Sequence, residues 1–143
     1  MIKPEYEKLV LEEGNEKEFT YKGFNCLIKR VRPDSAGHLC GYVEIPSNHL
    51  LYDKDYDEIE SEYNYDLPSH CGLTYSGNML GDERFFIGFD CGHYGDVSPC
   101  IPDGYPDFFT AYEGDSYKDM EYVQQTLINM VDFIIEKELT DNV

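Results

Sequence analysis

The C-terminal end of the chain carries the pattern that most limits what it can fold into. Met120, Val123, Leu127, Met130, Val131 and Ile134 recur at spacings of three and four, the repeat of one helix face. Tyr122, Ile128, Phe133 and Ile135 widen that face, so the helix calls for a groove against a sheet. Ser116 can cap it, with Asp119 three residues on in a weak form of the capping box. From 118 to 139 the predicted helix runs roughly 33 Å at 1.5 Å per residue.

The strands to build that sheet lie upstream. Glu18 to Arg32 alternates on both sides of Lys22-Gly23, the signature of a β-hairpin. Pro33 to Gly37 is a turn cluster, and Leu39 to Ile45 is a strand stopped by Pro46. Residues 46–69 read as a long, polar, acidic surface loop with one helical turn. Cys71 to Ser76 is a short strand, and Arg84 to Asp90 is the central buried strand, nearly all apolar. Residues 92–107 form a second irregular loop and Phe108 to Tyr112 an edge strand, while 1–13 is a short charged start with helical character. Strands followed by one long helix predict an α+β fold: a single domain over 1–143, with an antiparallel or mixed sheet packed on one face by the C-terminal helix.

Composition narrows the function classes. Twenty-nine acidic against 11 basic residues give a net charge of −18, which repels nucleic acid and anionic membrane. No direct nucleic-acid binding is expected. The same charge suits a basic partner, or mimicry of DNA. No apolar run approaches the length of a transmembrane helix, and the N-terminus has no signal core. The five cysteines lack a CxxC pair, so they read as reduced thiols of a cytoplasmic protein. Walker, GxGxxG, HExxH and GxSxG motifs are absent. Asp53 to Asn64 begins like an EF-hand loop but has Glu58 where the turn needs Gly and Asn64 where the ion needs Glu.

The chemistry concentrates where the buried strand ends, in Asp90-Cys91-Gly92-His93-Tyr94-Gly95-Asp96. Glycine-rich loops at strand ends are common places for sites. Cys91 could act as a nucleophile, with His70 or His93 as its base and Asp90 or Asp96 orienting the imidazole. The same region offers zinc ligands in His70-Cys71, Cys91, His93 and Cys100, at spacings that match no standard zinc module. A hard divalent cation could instead use His70, His93, Asp90 and Asp96. These residues alone leave the metal and any cofactor unknown. Lys29-Arg30-Val31-Arg32 holds three of the 11 basic residues. Arg30 and Arg32 share a strand face and could hold a phosphate or carboxylate. His38 and His49 fall in polar turns and read as plain surface histidines.

Five segments carry a resemblance: Leu39-Cys40-Gly41-Tyr42-Val43, His49 to Tyr56, His70-Cys71-Gly72-Leu73-Thr74-Tyr75, Gly88 to Asp96, and Tyr117 to Val123. Together they resemble a family of short acidic proteins found in bacteriophages and bacteria, over roughly residues 38–125. Position 71 departs from that pattern, having cysteine in place of glycine, which weakens a zinc site that relies on it. The resemblance implies phage-like context, with the host cytoplasm as the location of a phage-encoded chain, and it implies no reaction. It matches Cys40, His70, Tyr75, Asp90, Cys91, His93 and Asp96, which are expected around one pocket. The expectation is therefore a small-molecule ligand, nucleotide-derived, between the Gly-rich loops. Cys91, His93, His70 and Asp90 would be the reactive group there, with Cys40, Tyr42, Tyr75, Asp96, Arg30 and Arg32 as ligand contacts. The alternatives are a Cys–His or metal-assisted hydrolase using the same cluster, and an acidic protein that covers a basic host surface. Oligomeric state has no sequence signal.

Overall fold

A computed structural model describes residues 2–33, 36–99 and 114–141. The chain runs α1 (Pro4–Glu13), β1 (Glu16–Tyr21), β2 (Phe24–Arg30), β3 (Leu39–Ile45), α2 (Tyr56–Glu62), β4 (Tyr75–Gly77), β5 (Phe85–Asp90) and α3 (Met120–Asp141). The sheet order is β1-β2-β3-β5-β4, and each neighbouring pair is antiparallel. This is the expected α+β fold, with the sheet antiparallel and not mixed. The central strand is β3, and β5 lies between it and the short β4. Among the described residues no helix is long and apolar enough to cross a membrane. The edge strand expected at 108–112 lies outside the described residues.

The β1–β2 hairpin turns on Lys22 and Gly23, both at positive φ (48° and 86°). A two-residue turn with two positive φ values matches the right-handed twist of its strands. On one sheet face Phe24, Cys26, Ile28, Leu39, Val43, Ile45, Phe85, Ile87 and Phe89 form the core. Met120, Val123, Leu127, Met130, Val131 and Ile134 of α3 meet them, and all six are buried. The helix packs tightly over Gly41. A Cβ there would sit 2.8 Å from the Phe89 ring and 2.9 Å from Val123 Cγ1, so glycine is what lets α3 seat on β3 and β2.

Several expectations change, among them the strand expected at Cys71 to Ser76, which is only β4 at Tyr75–Gly77. The cap of α3 is Asp119, whose carboxylate accepts the Tyr122 N–H at 2.9 Å, in place of Ser116. Residues 46–69 are not a surface loop. They contain α2 and bury Leu51, Ile59, Tyr63 and Leu67 in the core. These four apolar residues are spaced too sparsely among acids and tyrosines to produce a sequence period. His49, expected at the surface, reaches Glu138 of α3 through Nε2, while its Nδ1 accepts the Leu51 N–H at 3.0 Å. That acceptance leaves the ring proton on Nε2, where it donates to Glu138.

Arg30 closes the other end of the sheet. Its side chain is fully buried, and all five N–H donors are used. Nε donates to Asn15 at 3.0 Å, Nη1 to the Gly37 carbonyl at 3.0 Å and the Tyr117 hydroxyl at 2.8 Å, and Nη2 to Glu13 at 2.8 Å and the Gly14 carbonyl at 2.9 Å. Glu13 in turn accepts the Tyr117 hydroxyl, and its second oxygen accepts the Met120 N–H at 3.0 Å. One carboxylate thus neutralises the buried guanidinium and satisfies an amide in the first turn of α3, which has no partner within the helix.

Removing one member of a buried ion pair leaves the other charged and unpaired, at a cost of about 3–5 kcal/mol. Arg30→Met should lose stability in that range in urea unfolding, while Lys29→Met, on the opposite sheet face, should lose less than about 1 kcal/mol. Equal, small losses would show that the network is not a support.

Candidate functional site

The end of β5 is held by three segments. The Cys91 N–H donates to the Leu39 carbonyl at 3.0 Å. The loop 91–96 then turns at Gly95 (φ 94°) and is stitched to the lead-in of α3 by Val97 N–H to Ser116 O at 2.8 Å and Ser116 N–H to Gly95 O at 3.1 Å. Alternation along β5 sends Asp90 and Cys91 to opposite faces, and this divides the expected pocket into separate groups.

The first group is buried. Asp96, with a side chain 2% exposed, accepts His70 Nε2 at 2.7 and 2.9 Å, the His93 backbone N–H at 3.0 Å and Lys118 Nζ at 3.1 Å. Burial alone would raise the Asp96 carboxyl pKa. The three hydrogen-bond donors outweigh it and hold the group below the usual carboxylate range. An ionised Asp96 accepts only, so His70 Nε2 donates to it, and in the neutral ring Nδ1 is then the acceptor for the Tyr122 hydroxyl, 2.8 Å away.

The second group is half-exposed. Asp90 accepts Thr74 Oγ1 at 3.1 Å, lies 2.9 Å from His93 Nε2 and lies 3.7 Å from His38 Nε2. The short His93 contact is one of proximity. The ring nitrogen is not aligned on the carboxylate, and it is buried with no hydrogen-bond partner among the described residues. His38 lies over Gly92, where a Cβ would stand 2.6 Å from its ring. It was expected at the surface, and it is partly buried. Burial pushes its pKa below 6.5, Asp90 pulls it up and Arg32 pushes it down again. Cys40 and Tyr42 lie on the same sheet face as Asp90, and Cys40 pairs with it across the strands. Tyr42 lies over Gly88 and meets Tyr75 edge to face, with ring centroids 5.7 Å apart.

The remaining candidates go elsewhere. Cys91 belongs to the core, 1% exposed, and burial pushes its thiol far up. Burial likewise lifts Cys40 to about 11 and Cys26 to about 12. A protonated, enclosed sulfur has neither the charge nor the access of a nucleophile, so the reactive Cys–His pair is not assembled. Arg30 has no donor left for a ligand. Arg32 is exposed at positive φ (47°) and has no ion pair among the described residues. No three His, Cys, Asp or Glu side chains among the described residues are arranged to hold a metal ion, and Cys100 lies outside them. Cys71 is exposed, at φ 59°.

Sequence reasoning missed Tyr122, Lys118, Thr74 and His38 as members of this region. The first two were absorbed into the helix pattern, and the others carried no spacing signal. Comparisons with protein-family models, curated proteins and solved structures give no match.

Thiol-specific alkylation of the native chain should modify Cys71 first among the described cysteines, with Cys26, Cys40 and Cys91 reacting only on unfolding. Rapid native labelling of Cys91 would restore the Cys–His site. The histidine makes a second prediction. The unfolded chain takes up a proton at His38 near its ordinary value of 6.5, whereas the folded chain resists it. Its contribution to stability is therefore full above that pH and falls below it. Asp96 behaves oppositely in range: its stabilisation holds above 3.8 and fades only in stronger acid. Urea unfolding at about pH 7 and about pH 5 should show a loss that shrinks in His38→Gln. An undiminished loss would refute the assignment.

Proposed function

We propose that this chain captures a small molecule at the ends of β3 and β5, between residues 36–38, 70–74 and 91–96. The observation that carries this is His93. Its Nε2 is buried without a hydrogen bond among the described residues, although buried polar atoms are normally satisfied, and a bound polar group would supply the missing partner. Asp90, Thr74 and His38 surround the same spot. Tyr94, beside His93, is 97% exposed and offers an aromatic face for stacking. A nucleotide-derived compound is the class to test first, because Arg32 can take a phosphate through its forked donors. The motif resemblance adds phage-like context, in which such a protein would sequester a host signal in the cytoplasm. Direct nucleic-acid binding does not belong to this reading, given the charge of −18.

A second reading is an acidic protein that covers a basic host surface. It is favoured by Lys8, Lys22, Arg30, Lys54, Arg84 and Lys118, which are all committed to carboxylates of the chain itself. The surplus acids are therefore left to the surface.

Thermal unfolding across a panel of nucleotides and polar metabolites should find at least one compound that raises Tm in the native sequence and fails to do so in His93→Gln and Asp90→Asn. No shift across the panel, or a shift that persists in both variants, would sink ligand capture at this place.

A further inference from the structure

We infer that Tyr122 is a general-base-activated nucleophile for acyl transfer, with His70 as its base and Asp96 as a positioning residue. This does not rest on ligand capture at Asp90 and His93. It rests on other atoms: the hydroxyl of a partly exposed tyrosine, a buried imidazole 2.8 Å from it, and a buried carboxylate 2.7 Å from the far ring nitrogen. A nucleophile within hydrogen-bond reach of a base that a third group orients is the general arrangement for covalent catalysis.

Exposure follows the roles. Tyr122 is 39% exposed, so a substrate can reach it, while the His70 and Asp96 side chains are 9% and 2% exposed. The imidazole cannot swing, because Asp96 and Tyr122 hold both nitrogens and the Tyr122 ring stands edge to face with it at 5.4 Å. The groups facing His70 are Tyr122 from α3, Lys118 from its lead-in by way of Asp96, and Asp96 and His93 from the 91–96 loop, the His93 ring centroid lying 5.9 Å away. Burial raises the Tyr122 hydroxyl pKa, so the group rests protonated and depends on its base as it reacts. The resting hydroxyl of a serine triad has the same need.

The step balances within these groups. Tyr122 Oη attacks the carbonyl carbon of an ester, and its proton passes to His70 Nδ1. The bond from carbon to the leaving oxygen breaks, and that oxygen takes the proton from Nδ1. Water, deprotonated by the same nitrogen, then cleaves the tyrosyl ester, and Tyr122 recovers its proton. A neutral ester suits the site better than a phosphate ester. Lys118 lies 5.9 Å from the ring centroid, and Asp96 already holds it at 3.1 Å. It is not free to neutralise a dianion.

The test uses 4-nitrophenyl acetate on the full chain, with acid quenching and peptide mass analysis. Tyr122 should be acetylated faster than Tyr94, although Tyr94 is 97% exposed. His70→Gln should slow Tyr122 by on the order of 100-fold and leave Tyr94 unchanged. Labelling of Tyr122 no faster than Tyr94, or equal labelling in the variant, overturns the proposal. Should His70→Gln fail to fold, the pH profile of the unmodified chain decides. Base-assisted labelling levels off well below about pH 10, where a free phenol ionises. A rate that climbs steadily toward that pH overturns it.

Discussion

A single buried guanidinium sets much of this architecture. Arg30 is enclosed at the end of β2, and an ionised group taken out of water must find a full set of partners or destabilise the fold. It finds five donor contacts, supplied by the end of α1, the residues after it, the turn at Gly37 and the lead-in of α3. Those contacts fix where the helix may begin, since Glu13 binds Arg30 with one oxygen and the first amide of α3 with the other. The start of α3 then determines that its lead-in delivers Lys118 and its first turn Tyr122 to the loop at β5, and that Val123 seats on Gly41.

At the end of β5 two carboxylates six residues apart in sequence meet different surroundings. Asp96 is saturated by donors and held ionised, so it positions His70. Asp90 keeps partial solvent access and is approached by two imidazoles, and the Nε2 of His93 has no hydrogen bond among the described residues. Such a separation of environments around like groups gives the two carboxylates different chemistry. The thiol between them faces the core, so the strand that carries the polar run also removes its best nucleophile from solvent.

The elements with a clean period were legible. The apolar face of α3 was readable residue by residue, as were the Lys22-Gly23 turn and the limits of β3, because helix and hairpin write themselves in local spacing and φ-tolerant residues. Residues 46–69 were not, since α2 is short and its buried side chains answer to tertiary contacts. Within the candidate site, His70, Asp90, His93 and Asp96 were read from their concentration near glycines. Their division was not readable, because alternation along β5 matters only once the face covered by α3 is known. Arg30 misled for a related reason. A basic cluster in an acidic chain looks like a ligand contact, and nothing local shows that Glu13, Asn15 and Tyr117 will absorb it. His38 and His49 looked like surface groups because their carboxylate partners, Asp90 and Glu138, lie far along the chain.

The partners of Arg30 also have an order in time. Glu13, Gly14, Asn15 and Gly37 all lie within 17 residues of it, whereas Tyr117 lies 87 away. The segment from α1 to β3 can therefore neutralise the Arg30 charge and pair three strands before α3 arrives. What waits is the docking of the last helix, whose first amide is received by a carboxylate already in place. The helix thus closes a prepared socket, its long-range contacts forming onto a surface that local contacts have already shaped.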